Sequence, residues 1–167
     1  ITKKPFLLYL SGSDTRSAVL DSSRSDVNII AAVNPVTKQI LLLNTPRDYY
    51  VANPEYGGSM DKLTHLGIYG TDVSMRGLSD LCNDSLEGMF ATNFDMNDLS
   101  KLVKMQLDDL ASWHIVSYAV TGYGDSRETC SAPGEYLYVT IPDQDSVDRA
   151  IELIDMVMDG KTLPDEP

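Results

Sequence analysis

The chain has 167 residues, 43% of them hydrophobic and 23% charged, with a formal net charge of −12. That balance excludes an intrinsically disordered chain and supplies enough apolar residues for one packed core, so a single domain over residues 1–167 is expected. The acidic charge argues against nucleic acid as a partner, and no apolar run reaches the roughly 18–20 residues that cross a bilayer.

The charge is uneven. Residues 1–62 carry seven Lys/Arg against six Asp/Glu, and residues 63–167 carry six against nineteen. A phosphate-bearing ligand therefore belongs with the front of the chain. Two cysteines, Cys82 and Cys130, allow either one disulfide or two thiols, and neither has the Cys/His spacing of a zinc site.

In chain order, residues 5–12 form an apolar run closed by Gly12 and read as a buried strand. Residues 27–33 and 39–45 read the same way, and the short Asn34-Pro35 turn between them predicts an antiparallel hairpin. Strands this continuously apolar need cover on both faces. Helical spacing follows at about 60–69 and 72–82, with Thr71 a candidate cap, and Leu86, Met89 and Phe90 continue it. From Asp95, another candidate cap, Leu99, Leu102, Val103, Gln106 and Leu110 line one helix face.

Residues 113–120 and 136–141 read as strands, and the Gly- and Ser-rich stretch 121–135 between them reads as a long loop. After Pro142-Asp143, Val147, Ala150, Ile151, Ile154, Val157 and Met158 form a helical stripe ending before Gly160, and the tail beyond Lys161 is expected to fray. Strands interleaved with helices predict an α/β fold, a layered α-β-α arrangement with a mixed central sheet. Residues 1–81 form its N-terminal half and residues 82–163 its helix–strand–strand–helix part.

Chemistry concentrates where three strands end. Asp14 and Arg16 follow the first strand, Arg24 and Asp26 open the second, and Arg47-Asp48 close the third. If the first two strands are neighbours, Asp14 and Asp26 emerge at one edge, where paired carboxylates suit a hard divalent cation. Arg24 and Arg47 beside them suit phosphate oxygens. The same spacing also fits two surface ion pairs, Asp14 with Arg16 and Arg24 with Asp26, of little consequence. His65 and His114 read as structural histidines. Trp113 reads as packing, Tyr118 and Tyr123 are aromatics that could pack or stack on a ligand, and Asp125, Arg127 and Glu128 could meet a ligand or simply line a solvated loop.

Five motifs occur in order: Gly12-Ser13-Asp14-Thr15-Arg16, Arg24-Ser25-Asp26, Asn34-Pro35-Val36-Thr37-Lys38, Pro46-Arg47-Asp48 and Asp61-Lys62-Leu63-Thr64-His65. This set resembles the LytR-CpsA-Psr family of bacterial cell-wall glycopolymer transferases. The resemblance implies Asp14 and Asp26 as carboxylates for Mg²⁺ (or Mn²⁺), and Arg24 and Arg47 as pyrophosphate clamps, with Arg16 and Lys62 as further substrate contacts. It implies a polyprenyl-pyrophosphate-linked glycan as donor and peptidoglycan or another wall polymer as acceptor, the product being attached teichoic acid or capsule. It also implies an extracytoplasmic location in a Gram-positive bacterium, through a membrane anchor outside these residues.

The resemblance further implies a strand, a helix and an arginine-rich segment after Leu81. Here Leu81 is followed by Cys82-Asn83-Asp84-Ser85-Leu86, which resembles a region beyond that block. If the natural protein lacks the block, a half-built pyrophosphate clamp is expected, with a core left incomplete or completed by another chain; if it carries the block, an ordinary enzyme of the family is expected. With the half-built clamp comes an alternative function, a non-catalytic module binding polyprenyl phosphate or wall polymer.

Overall fold

The computed structural model describes residues 3–12, 24–86, 88–91, 95–108 and 113–167. Three apolar runs become neighbouring strands, β1 (Phe6–Gly12), β2 (Val27–Asn34) and β3 (Gln39–Thr45), paired antiparallel in that order. The turn between β2 and β3 is fixed by Asn34, whose Oδ1 accepts from the backbone N–H groups of Val36 and Thr37. A later strand, β6 (His114–Ala119), joins β3 in parallel, which makes the four-stranded sheet mixed.

Strand register explains the layers. Leu7, Ala32, Leu41 and Val116 lie opposite one another across all four strands and form one buried face. Phe6, Val33 and Ile40 belong to the other face. Because alternate residues of a strand point to opposite sides, both faces need cover. The first face receives α2 (Thr71–Leu81), through Val73 and Leu78, and α4 (Gln144–Met158), through Val147, Ala150, Leu153, Ile154 and Val157. The second receives Leu102 of α3 (Met96–Asp108), with Trp113 packed beside it. The fold is therefore the expected layered α-β-α arrangement.

Both acidic caps form. Asp95 accepts from the N–H groups of Asn97 and Asp98, and Asp143 accepts from that of Asp145. Thr71 does not cap; it is the first residue of α2, and Gly70, at φ 120°, holds the cap position.

Four other expectations change. Residues 59–62 are not helical: β5 (Ser59–Lys62) pairs with β4 (Tyr50–Asn53), and helix begins only at α1 (Leu63–Leu66). Its apolar spacing resembles that of a longer helix because the strand is just four residues long. Leu86, Met89 and Phe90 do not extend α2; the chain turns there, and the segment runs along β1, with the Leu7 N–H donating to Met89 O and the Ala91 N–H to Leu7 O.

The stretch 121–135 is not a loop but most of a hairpin, β7 (Gly122–Thr129) paired with β8 (Ala132–Pro142). Its Gly and Ser content signals a loop, and cross-strand hydrogen bonds override that signal. The tail does not fray, since Leu163 is buried and its N–H donates to Gln39 Oε1 at 2.7 Å.

Beside β1 a cleft of about 530 Å³ remains, lined mainly by Leu8, Leu10, Met75, Phe90, Met96 and Leu99. Among the described residues no helix is long and apolar enough to cross a membrane.

Candidate functional site at the strand-end rim

The antiparallel pairing of β1, β2 and β3 carries the end of β1, the start of β2 and the end of β3 to one rim. The Asp26 N–H donates to Gly12 O at 2.9 Å, and Asn28 lies opposite Thr45. The turn from β5 into α1 is stitched to the same place: the Thr64 N–H donates to Arg47 O and the Ser25 N–H to Thr64 O. Four segments distant in sequence thus share one backbone network, which fixes where their side chains can reach.

At this rim Arg47 Nη1 donates to Asp26 Oδ1 at 2.6 Å, with the Arg47 side chain half exposed. Lys62 Nζ donates to Asp48 Oδ1 at 3.3 Å. Arg24 is exposed, one residue before the buried Ser25, and has no ion pair among the described residues. Asp26, Arg47, Asp48 and Lys62 are brought together, and Asp26 pairs with Arg47 rather than in the alternative surface pair with Arg24 that the spacing also allows. Asp14 and Arg16 lie outside the described residues. Beneath the rim, Ser25 Oγ contacts Ser11 Oγ at 2.7 Å and donates to Asn28 Oδ1, which also accepts from Tyr9 Oη.

One residue before Lys62 stands Asp61, which opens the fifth motif but to which the sequence reading assigns no role. Asp61 is fully buried, and its carboxylate accepts from Asn53 Nδ2 (3.1 Å), the Lys62 N–H (2.8 Å) and Ser131 Oγ (2.9 Å). It also lies 2.7 Å from His65 Nδ1 and 3.4 Å from Cys130 Sγ. Burial alone would raise its pKa, but the hydrogen bonds from His65, Asn53, Lys62 and Ser131 outweigh it and hold the carboxyl below the ordinary range.

His65 is thus a structural partner of Asp61, as expected. The hints in the sequence are their i, i+4 spacing and their place at the two ends of the fifth motif; Ser131 and Cys130 arrive from the β7–β8 turn, which no local pattern foretells. Both cysteines are free thiols, and burial pushes each up to about 11.

As a donor set for a metal, the rim offers Asp26, whose Oδ2 carries no hydrogen bond among the described residues, and the neighbouring Asp48. Among the described residues no group of three or more His, Cys, Asp or Glu is placed to hold a metal ion. Asp26 and Asp48 are hard oxygen donors of the kind a water-retaining cation uses, and they do not make a closed protein cage.

Comparison with known proteins gives a consistent assignment. The model of the LytR_cpsA_psr family matches residues 1–104. The polyisoprenyl-teichoic acid–peptidoglycan teichoic acid transferase TagU of Oceanobacillus iheyensis is 33% identical over 95 residues, covering 53% of this chain and 28% of the relative. The corresponding TagT of Bacillus subtilis is 31% identical over 96 residues, covering 55% and 29%. The chain therefore spans less than a third of the length of these curated relatives. Among solved structures, the LytR-CPS2A-psr family protein YwtF (TagT) with bound octaprenyl pyrophosphate lipid superposes with a TM-score of 0.62 at 15% identity, covering 94% of this chain and 91% of that one. That likeness is one of fold.

Proposed function

This chain belongs to the LytR_cpsA_psr family, and we propose that its strand-end rim binds a polyprenyl-pyrophosphate-linked glycopolymer and transfers the polymer to a cell-wall hydroxyl outside the membrane. The observation that carries this reading is the gathering of Asp26, Arg47 and Lys62 from three separate strand ends onto one rim, where the Arg47 side chain is half exposed. Guanidinium and ammonium groups there suit a diphosphate, which would displace Asp26 from Arg47 and take its place. Arg24 stands beside them with no competing partner among the described residues. The apolar cleft along β1 suits the prenyl chain, since β1 runs from that cleft to Gly12 at the rim.

In the reaction, the acceptor hydroxyl oxygen forms a bond to the phosphorus next to the sugar. The anhydride bond of the pyrophosphate breaks, polyprenyl phosphate leaves, and the hydroxyl proton passes to solvent or to a carboxylate. Arg47, Arg24 and Lys62 hold the non-bridging oxygens and offset the charge that builds on them. Asp26, with Asp14, would hold Mg²⁺ (or Mn²⁺), which when bound supplies additional neutralisation of phosphate charge. Anchorage of the whole protein to the membrane, and a teichoic acid or capsule as the polymer, follow from the same family reading.

A second reading, a binding module without transfer, is favoured by how the other arginines are used. Arg76 is the only arginine between Arg47 and Arg127. Arg76 Nη2 donates to Glu55 Oε1 at 2.8 Å, and Arg127 Nε to Asp125 Oδ2 at 2.7 Å, so neither joins the rim. The two readings part in one experiment. Transfer of a lipid-pyrophosphate glycan to a wall acceptor with Mg²⁺ is measured for the wild type, Arg47→Ala and Asp26→Ala, alongside the melting temperature with a soluble prenyl pyrophosphate. Transfer lost in both variants supports the enzyme. A ligand-induced rise in melting temperature without transfer supports the module. No rise at millimolar ligand sinks both.

A further inference from the structure

We infer that Asn28, held in place by Tyr9, is the positioning residue that aims Arg24 at a diphosphate, through a hydrogen-bond network closed around Ser25. This rests on the transferase reading above and adds to it buried groups beneath the rim that decide where one phosphate-binding cation stands.

The rim cations are not oriented in the same way. Arg47 is turned by Asp26 and Lys62 by Asp48, each at hydrogen-bond distance. Arg24 is exposed and has no ion pair among the described residues, so its guanidinium is aimed by the backbone that carries it. That backbone is pinned at three points. The Ser25 N–H donates to Thr64 O at 3.3 Å, the Asp26 N–H donates to Gly12 O at 2.9 Å, and Ser25 O accepts from Asn28 Nδ2 at 3.4 Å.

Hydrogen-bond direction orders the network. Asn28 Oδ1 is only an acceptor, and two hydroxyls reach it, Ser25 Oγ at 2.9 Å and Tyr9 Oη. Val27 O lies 3.0 Å from the same serine hydroxyl, but a proton given there would leave Ser25 Oγ and Asn28 Oδ1 as two acceptors face to face. With its one proton on Asn28, Ser25 Oγ accepts from Ser11 Oγ, 2.7 Å away. Donation therefore runs from Ser11 to Ser25 to Asn28, and Tyr9 closes it from the side. One amide grips Ser25 twice, by its hydroxyl and by its backbone carbonyl.

Strand register brings these groups together. Asn28 lies opposite Ser11, and Tyr9, opposite Ile30, is its diagonal neighbour on the same face. Asn28 is buried in a strand whose next five residues are Ile, Ile, Ala, Ala and Val. A buried amide is costly unless its hydrogen-bonding groups are met, and an apolar residue would pack there without that demand. What the asparagine adds is the hold on Ser25.

Tyr9 carries the network to the apolar cleft. Its side chain belongs to the cleft wall, while its hydroxyl donates to Asn28 beneath the rim. One residue thus borders the place proposed for the prenyl chain and supports the place proposed for the diphosphate. The two roles are separable, because Tyr9→Phe keeps the ring and removes only the hydroxyl.

The test uses the full 167-residue chain and two probes titrated by calorimetry: geranyl pyrophosphate, and inorganic pyrophosphate, which has no chain to enter the cleft. Expected are binding of both by the wild type, about a tenfold loss of inorganic pyrophosphate affinity in Asn28→Ala, and about a threefold loss in Tyr9→Phe. A Tyr9 that served only as cleft wall would leave inorganic pyrophosphate binding untouched. In an Arg24→Ala background, itself weaker, neither change should weaken binding further, because both act through Arg24. Asn28→Ala should lower the melting temperature, since Ser25 and Tyr9 lose a buried acceptor. Tyr9→Phe should melt close to the wild type, and it carries the test if Asn28→Ala does not fold. A second readout needs no ligand: NMR order parameters of the Ser25 and Asp26 amides should fall from about 0.85 in the wild type to below about 0.6 in Asn28→Ala.

Unchanged order parameters in Asn28→Ala, unchanged inorganic pyrophosphate affinity in Tyr9→Phe, or losses of equal size with and without Arg24 overturn the inference. So does a wild type that binds geranyl pyrophosphate but not inorganic pyrophosphate at millimolar concentration, a result that leaves the transferase reading standing. The reverse, inorganic pyrophosphate bound and geranyl pyrophosphate not, sinks the transferase reading and leaves the aiming of Arg24 in place.

Discussion

Lys62 and Asp61 are adjacent in sequence and belong to opposite kinds of place. Lys62 reaches the rim, where Asp26 and Arg47 form an ion pair open to solvent and Lys62 itself pairs, partly buried, with Asp48. Asp61 turns inward, where one carboxylate has no exposure and serves Asn53, Ser131, the Lys62 backbone and His65. The donor–acceptor distances are almost equal, 2.6 Å for Arg47–Asp26 and 2.7 Å for His65–Asp61. The difference is solvent. Exposed pairs contribute little to stability and can exchange partners with a ligand, whereas a buried carboxylate cannot lose its partners without stranding them.

That contrast can be broken at either place, and the largest effect is expected at the buried one. Asp61→Ala should cost about 3 kcal/mol in urea denaturation, because Asn53 and Ser131 lose their acceptor in a dry site. Asp61→Asn, which keeps the shape, should cost less. A loss under about 1 kcal/mol for Asp61→Ala would show that water enters the site. Next, Arg47→Ala should reduce prenyl pyrophosphate binding roughly a hundredfold while leaving the urea midpoint nearly unchanged. An equal fall in stability would place Arg47 with the structural group instead.

The pH dependence separates the two places further. Because the folded-state pKa of Asp61 is lowered, its contribution is fully present above the ordinary carboxylate pKa of about 3.9 and is lost as pH falls through the folded value. Melting temperature followed downward from pH 5 should therefore drop more steeply for the wild type than for Asp61→Asn. Parallel curves would remove Asp61 from the acid response. The smallest effect belongs to the rim: a double-mutant cycle of Asp26→Ala and Arg47→Ala should give a coupling in folding stability of about 1 kcal/mol or less.

The parts of the molecule readable in advance are those with a strong local signal. Apolar runs closed by Gly12, Asn34-Pro35 and Pro46 mark β1, β2 and β3, and the caps Asp95 and Asp143 mark two helix starts. The ordered motifs point to Arg24, Asp26, Arg47 and Lys62 as one functional group, since each sits where a strand begins or ends. The hairpin at 122–142 was hidden because Gly122, Gly124 and Ser126 carry no apolar alternation on β7; its pairing partner β8 supplies the order that its own composition lacks. Tyr136 and Tyr138 do alternate, but alternation alone does not say which face meets solvent.

What the sequence by itself determined is the kind of chemistry: cations and carboxylates at strand ends, apolar residues in the strands, and acidic surface concentrated toward the back of the chain. Antiparallel pairing then placed Asp26 against Arg47, buried Asp61 under the turn that presents Lys62, and brought Tyr9 of β1 to Asn28 of β2. Those outcomes depend on which distant backbones lie side by side and which groups they screen from water, and neither property is carried by any single stretch of chain.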